Sequence, residues 1–168
     1  MVEDGRRYVK KSPNKIKEED LTIGASLKNP WVRAELEALI AEHAYRIDFY
    51  LSDDLGELYT EDGCLYGAGP DWIGREAVNE YGRSRASAKD RRARHVCTNF
   101  RFSQDSSDTI RGTCFIMLFR SGSASLAPAE PIALADAHDI YKKCSDGSWR
   151  IQERRIVLSF ESEAHRLK

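Results

Sequence analysis

The sequence predicts an α+β fold in which a long, curved antiparallel sheet wraps around N-terminal helices. Three observations carry this reading. Residues 31–51 place Leu36, Leu39, Ile40, Ala44, Ile47 and Leu51 at the helical repeat of about 3.6 residues. The period then changes: residues 96–103, 109–120, 132–144 and 149–160 are rich in β-branched and aromatic side chains. Finally, the helical segments come first and the strands follow as a block, instead of alternating with them. A long sheet curved around the first helix encloses a concavity of the kind small ligands occupy.

Along the chain, residues 1–28 form a charged arm with little apolar periodicity, residues 29–162 a single folded domain, and residues 163–168 a polar tail. Pro30 suits the first position of the first helix. On that helix His43 lies between Ile40 and Ile47 on the apolar stripe, and Asp48 lies at its edge beside Ala44 and Leu51. Ser52-Asp53-Asp54 opens a short second helix through Tyr59, which Thr60-Glu61-Asp62-Gly63 stops. Cys64-Leu65-Tyr66 begins a strand, residues 67–70 turn, and a third helix over 75–88 turns Ala77, Val78 and Tyr81 inward.

Gln104-Asp105-Ser106-Ser107-Asp108, Ser121-Gly122-Ser123 and Ser145-Asp146-Gly147-Ser148 divide the strands, the last as a tight hairpin. The loop 124–131 carries two prolines. Residues 113–119 are apolar at alternate positions of both parities, which predicts burial on both faces.

Composition narrows the function. A chain of 168 residues with 41% hydrophobic and 32% charged residues is one ordinary domain. Lys and Arg (26) nearly balance Asp and Glu (27), so no overall field draws nucleic acid or an anionic membrane. No run approaches the ~18 apolar residues of a membrane span, and Met1-Val2-Glu3-Asp4-Gly5-Arg6-Arg7 lacks the apolar stretch of a secretory signal. A cytoplasmic location is the expectation.

Cys64, Cys97, Cys114 and Cys144 form no CxxC, so free thiols packing as small hydrophobes are expected. No GxSxG, P-loop or HExxH occurs, which leaves hydrolase, NTPase and zincin chemistry without support. His43, His95 and His138 lack tight ligand spacing, so no metal site is expected. His165 lies in the polar tail.

The informative residues are Asp48 and His95, the latter within Arg94-His95-Val96-Cys97-Thr98-Asn99-Phe100. A carboxylate on an apolar helix and an imidazole on an apolar strand are each costly to bury alone, and each is the other's obvious partner. An imidazole ordinarily titrates near neutral pH and can accept and return a proton, while a carboxylate fixes its tautomer. With no nucleophile beside them this is acid–base, not covalent, chemistry.

The bland alternative is structural: Asp48 bonded to backbone or to an arginine of the sheet such as Arg101, Arg154 or Arg155, and His95 a satisfied core residue. His43 is a second acid–base candidate or a helix residue bonded to Asp48. His138 shares a face with Asp136 and Ile140, either exposed or cavity-lining. Tyr45, Tyr50 and Asn99 are candidate polarising donors, and Tyr66, Trp72 and Phe115 candidate cavity aromatics.

Four blocks resemble a known family. Asp48 with Leu58-Tyr59-Thr60-Glu61-Asp62-Gly63, Trp72-Ile73-Gly74-Arg75-Glu76-Ala77-Val78, Arg94-His95 through Asn99, and Gly147-Ser148-Trp149-Arg150-Ile151 occur in order across residues 31–160. They are similar to the blocks of the SnoaL-like branch of the nuclear-transport-factor-like superfamily. The resemblance implies a cone-shaped, cystatin-like α+β barrel. In scytalone-dehydratase-like and bile-acid-dehydratase-like members a helix Asp and a strand His form the proton-transfer pair, which would be Asp48 and His95 here. Those relatives often carry a Tyr five residues before the Asp, where this chain has His43.

The implied function is a cofactor-independent lyase or isomerase, dehydratase-like, acting on a small hydrophobic, aromatic or polycyclic molecule. The alternative is a non-catalytic ligand-binding subunit like the β subunits of aromatic-ring dioxygenases, which share the strand and hairpin blocks. Such sheets usually leave one face for subunit packing, which implies a homodimer or homotrimer.

Overall fold

The structure is a computed structural model, and it describes residues 25–122, 126 and 128–163. Most of the expected arm, part of the 124–131 loop and nearly all of the expected tail lie outside the described residues.

Helix α1 spans Pro30–Asp48. Asn29 caps it, its side-chain oxygen accepting from the backbone N–H of Trp31 (3.0 Å) and Val32 (3.3 Å). The buried face is Leu36, Ile40, His43, Ile47 and Asp48, so the last two polar positions are carried on the same stripe as the apolar ones. The helix ends at Asp48 because Tyr50 takes a left-handed φ of 61°. Leu51, expected on the stripe, has left the helix and is 56% exposed.

Among the described residues the sheet has seven strands, numbered in chain order and lying in the order β1-β4-β5-β6-β7-β2-β3. Four long strands, β4 (Arg92–Gln104), β5 (Thr109–Ser121), β6 (Ala133–Lys143) and β7 (Trp149–Glu161), make an antiparallel meander. Strand β2 (Tyr59–Tyr66) adds to β7 in parallel, and the short β3 (Trp72–Ile73) pairs antiparallel with β2. At the other edge β1 (Ala25–Ser26), a segment the sequence places in the arm, pairs with Ser103 and Gln104. The sheet is curved and unclosed. Among the described residues no helix is long and apolar enough to cross a membrane.

Two expected helical details are corrected. The second helix is a single 3-10 turn, Leu55–Leu58, and Thr60-Glu61-Asp62-Gly63 lies inside β2 instead of stopping a helix. Polar residues are tolerated there because this part of β2 is irregular: the register with β7 shifts between Tyr59 and Cys64. The true third element, α2 (Arg75–Ala86), docks closely on the 3-10 segment. A Cβ on Gly82 would lie 1.8 Å from the Ser52 carbonyl oxygen, and the Ser52 hydroxyl donates to the Gly82 carbonyl at 2.8 Å.

The core between α1, α2 and the sheet is built from Leu36, Ile40, Leu55, Leu65, Val78, Ile110, Tyr141 and Ile151, all at or below 1% exposure. Each such aliphatic side chain contributes roughly 1.5–3 kcal/mol.

Two bulges decide which polar side chains reach this interior. In β4 the register slips between Thr98 and Arg101, and Asn99 has a left-handed φ of 58°. His95 and Phe102 are an odd number of residues apart, so a regular strand would place them on opposite faces; the extra residue puts both inside. In β7 Ile140 pairs with Glu153 but Tyr141 with Ile151, leaving Gln152 as the extra residue. Ile151 and Arg154 therefore both point inward. Strand β5 corrects the expectation of burial on both faces, since Cys114 and Ile116 are buried while Phe115 is 41% exposed on the outer face.

Candidate active site

Helix α1 lies across β4, so its last residue meets the inward-facing His95. The Asp48 carboxylate holds His95 twice: Oδ1 is 2.6 Å from ring Nδ1, and Oδ2 accepts the His95 backbone N–H at 2.7 Å. An ionised carboxylate can only accept, so Asp48 assigns the proton to Nδ1 and leaves Nε2 as the ring's acceptor. The Asp48 side chain is 6% exposed and that of His95 21% exposed. Arg94 closes the arrangement from outside, donating to the Asp48 carbonyl (3.0 Å) with its guanidinium 4.4 Å above the Phe49 ring.

His95 faces a cavity with two chambers. The outer one holds about 420 Å³ and is walled by Ile47, Leu118, Ile132 and Leu158 among others. The inner one, about 30 Å³, reaches back to His43, Cys97 and Arg154. Ile47, Tyr81, His95, Ile116 and Ile156 border both, so the imidazole sits where they join. Gly67 lets the β2–β3 loop close one wall: it has φ +81°, and a Cβ there would lie 1.9 Å from the Ile156 carbonyl oxygen.

Deeper in, His43 Nε2 lies 2.9 Å from the Tyr59 hydroxyl. Burial, followed by the Arg154 guanidinium and then His95 and Arg46, holds the His43 pKa well below its ordinary value, so it is neutral. Tyr59 is fully buried and burial pushes its phenol up, so it keeps its proton. The Cys97 thiol on the inner wall is drawn down to about 7, chiefly by a hydrogen bond with Cys114.

A second buried ionic group lies nearby. Arg154 Nε and a terminal nitrogen donate to the two Asp139 oxygens at 2.9 and 2.7 Å, and the Tyr141 hydroxyl donates to the same carboxylate at 2.5 Å. Burial opposes the Arg154 charge, but Asp139 more than offsets this by attraction and hydrogen bonding, and the guanidinium stays charged. Arg154, weighed from sequence as a partner for Asp48, belongs instead to Asp139.

Of the sequence candidates, the structure brings together Asp48, His95 and His43. The others lie elsewhere. Tyr45 is 50% exposed and stacks on Phe49 at 4.5 Å. Tyr50 donates its hydroxyl to the Arg91 carbonyl at 2.6 Å. Tyr66 lies under the Arg155 guanidinium at 4.4 Å, and Trp72 packs on Tyr81 at 5.7 Å. Asn99 is exposed at the β4 bulge, and Phe115 lies on the outer face. His138 is on the outer face too, its ring nitrogens buried and without a hydrogen-bond partner among the described residues. Among the described residues no group of three His, Cys, Asp or Glu is placed to hold a metal ion.

Sequence reasoning missed Asp139, although the signal was present: it shares parity with Ala135, Ala137 and Tyr141, the apolar face of β6. It also missed Arg85, Arg91 and Arg120, which line the outer chamber. A basic residue near a helix end, in a loop or at the end of a strand, as Arg85, Arg91 and Arg120 are, carries no sequence mark of facing inward.

Among the described residues, an α+β shell of two helices and a curved open sheet, with an Asp-held histidine where the two chambers of a cavity join, defines the class. The SnoaL-like domain model matches residues 31–155, and the chain belongs to the SnoaL-like family. No curated protein matches it.

Among solved structures, a variant of Rv3472 from Mycobacterium tuberculosis, of unknown function, is 26% identical with a TM-score of 0.63, covering 77% of each chain. ActVI-ORFA from Streptomyces coelicolor is 18% identical, with a TM-score of 0.67 over 76% of this chain and 98% of its own. A Novosphingobium aromaticivorans protein described as a candidate scytalone dehydratase is 18% identical, with a TM-score of 0.68 over 80% of this chain and 89% of its own. The last two likenesses concern the fold alone.

Proposed function

We propose that this protein is a cofactor-independent lyase or isomerase of the dehydratase type, acting on a small hydrophobic molecule in the two-chambered cavity. The observation that carries the reading is the double hold of Asp48 on His95, which leaves the imidazole facing an apolar cavity with its acceptor nitrogen uncommitted. In the forward direction His95 Nε2 takes a proton from carbon beside a carbonyl, and the C–H electrons form the enolate. The resulting imidazolium then gives that proton to the departing β-hydroxyl, so a C=C bond forms, a C–O bond breaks and water leaves. Asp48 is the positioning residue that stabilises the imidazolium. His43, neutral and with Nε2 held by the Tyr59 hydroxyl, stands where the family resemblance leads one to expect a phenol, and its Nδ1–H can polarise the carbonyl.

The test is solvent-deuterium incorporation into a panel of cyclic β-hydroxyketones and enones, followed by NMR. Exchange should fall ~10²–10⁴-fold in His95→Ala and Asp48→Asn with the circular-dichroism spectrum retained. Wild-type exchange rates in His95→Ala would overturn the assignment. Binding of panel members without exchange by the wild-type protein would favour the non-catalytic ligand-binding subunit.

A further inference from the structure

The outer chamber is apolar on most of its wall but not at one end. Arg85 from the last turn of α2, Arg91 from the loop before β4, and Arg120 from β5 all line it, with Glu161 as the one carboxylate among the described lining residues. Among these residues Arg85 is spread over the Tyr81 ring at 5.4 Å and bonds to the Ser84 hydroxyl, and neither it nor Arg91 makes a carboxylate ion pair among the described residues. Burial first, then the Arg85 and Arg120 guanidiniums, lowers the Arg91 pKa, with Tyr81 and Asp90 acting in the opposite sense. Gathering like charges on a partly buried wall is unfavourable unless something negative offsets it.

Register fixes where this charge lies relative to the catalytic imidazole. His95 pairs with Leu118 and Ala93 with Arg120, so Arg120 is one pleat repeat, roughly 7 Å, from His95 along the sheet. Arg91 lies in the loop just before β4, at the same end of the strand as Ala93. The positive end of the cavity and the proton-transferring group are therefore separated by about the length of one or two fused rings.

We infer that the ligand of this cavity is an amphipathic organic anion, with an apolar body against Ile116, Leu118, Ile132 and Ile156 and a carboxylate-type group held by Arg85 and Arg91. This rests on the same cavity as the proposed function and specifies its substrate class. Arginine suits the role because its planar fork meets a carboxylate in two hydrogen bonds.

Two fluorescent probes share one apolar body and differ in charge: 8-anilinonaphthalene-1-sulfonate and neutral N-phenyl-1-naphthylamine. The anionic probe should bind the whole protein ~10-fold more tightly at low salt, with the ratio shrinking in high salt. Arg85→Gln and Arg91→Gln should each cut that ratio severalfold and leave the neutral probe unaffected. Arg83→Gln, on the same helix but with its arginine paired to Glu76 at 2.7 Å, should change neither.

1-Naphthoate should displace the anionic probe, and inorganic phosphate at equal concentration should not. Equal or tighter binding of the neutral probe, a ratio insensitive to both substitutions, or displacement by phosphate as effective as by naphthoate would each overturn the inference. His95→Ala keeps the charge preference while losing deuterium exchange, so failure of this inference and failure of the proton-transfer reading are distinguishable.

Discussion

Asp48–His95, between helix α1 and strand β4, and Asp139–Arg154, between strands β6 and β7, are two pairs of a buried carboxylate with a base, and they serve opposite ends. Asp139 is matched by a permanent cation in a bidentate geometry, its remaining capacity is taken by Tyr141, and the group is sealed at 1–2% side-chain exposure. Asp48 is matched by a side chain that can lose its charge, and that side chain borders a cavity at 21% exposure. A closed, fully satisfied ionic group fixes the core; an open one with a spare nitrogen can pass a proton. What separates them is which partner titrates and which one touches empty space, not burial of the carboxylate.

The comparison breaks most sharply in turnover. Once a substrate is in hand, Asp48→Asn should lower kcat ~10²–10⁴-fold, because the amide no longer assigns the Nδ1 proton or stabilises the imidazolium. Stability should fall far less, by about 1–3 kcal/mol, since an asparagine oxygen still accepts one of the two His95 bonds. A kcat within a few-fold of wild type would make this pair as structural as the other.

The sealed pair should respond the other way. Arg154→Met strands the Asp139 charge in the core and should cost about 3–5 kcal/mol in denaturant unfolding. Adding Asp139→Leu should recover most of that loss, because the uncompensated charge and not the missing attraction is the expensive part. If the double variant is no better than the single, the pair contributes net stability beyond its own desolvation.

The two bulges supply the next test and explain what was legible in sequence. The order of elements and the long strands follow from periodicity, and the choice of Asp48 with His95 from the cost of burying each alone together with the family resemblance. Bulges do not show in a pattern of alternation, so alternation does not give the face of Arg154, and Asn99, a candidate donor by sequence, is a backbone device in the structure. Tyr66, Trp72 and Phe115 are not among the residues lining either chamber, for a related reason: aromatic content says how much surface needs covering, not on which side. Asn99→Gly should be tolerated within a few tenths of a kcal/mol, whereas Asn99→Val should cost about 1–2 kcal/mol through its left-handed φ. Equal stability of the two variants would remove the bulge from the account of how His95 reaches the interior.

His43 lies between the two pairs and should link them through pH. Its imidazole is buried and faces the Arg154 guanidinium, His95 and Arg46, all of which disfavour a second positive charge. The folded-state pKa therefore lies below the unfolded value of about 6.5. The unfolded chain takes up the proton first, so this contribution to stability is complete above that value and is lost progressively as pH falls toward the lower folded-state pKa. His43→Gln removes the titration and can still bond the Tyr59 hydroxyl. Melting temperatures measured from pH 8 to 5 should fall more steeply in the wild-type protein than in this variant, with the curves parallel above pH 7. Parallel curves throughout would mean that His43 takes its proton in place, and that the neutral imidazole assigned to the inner wall is charged when the cavity works.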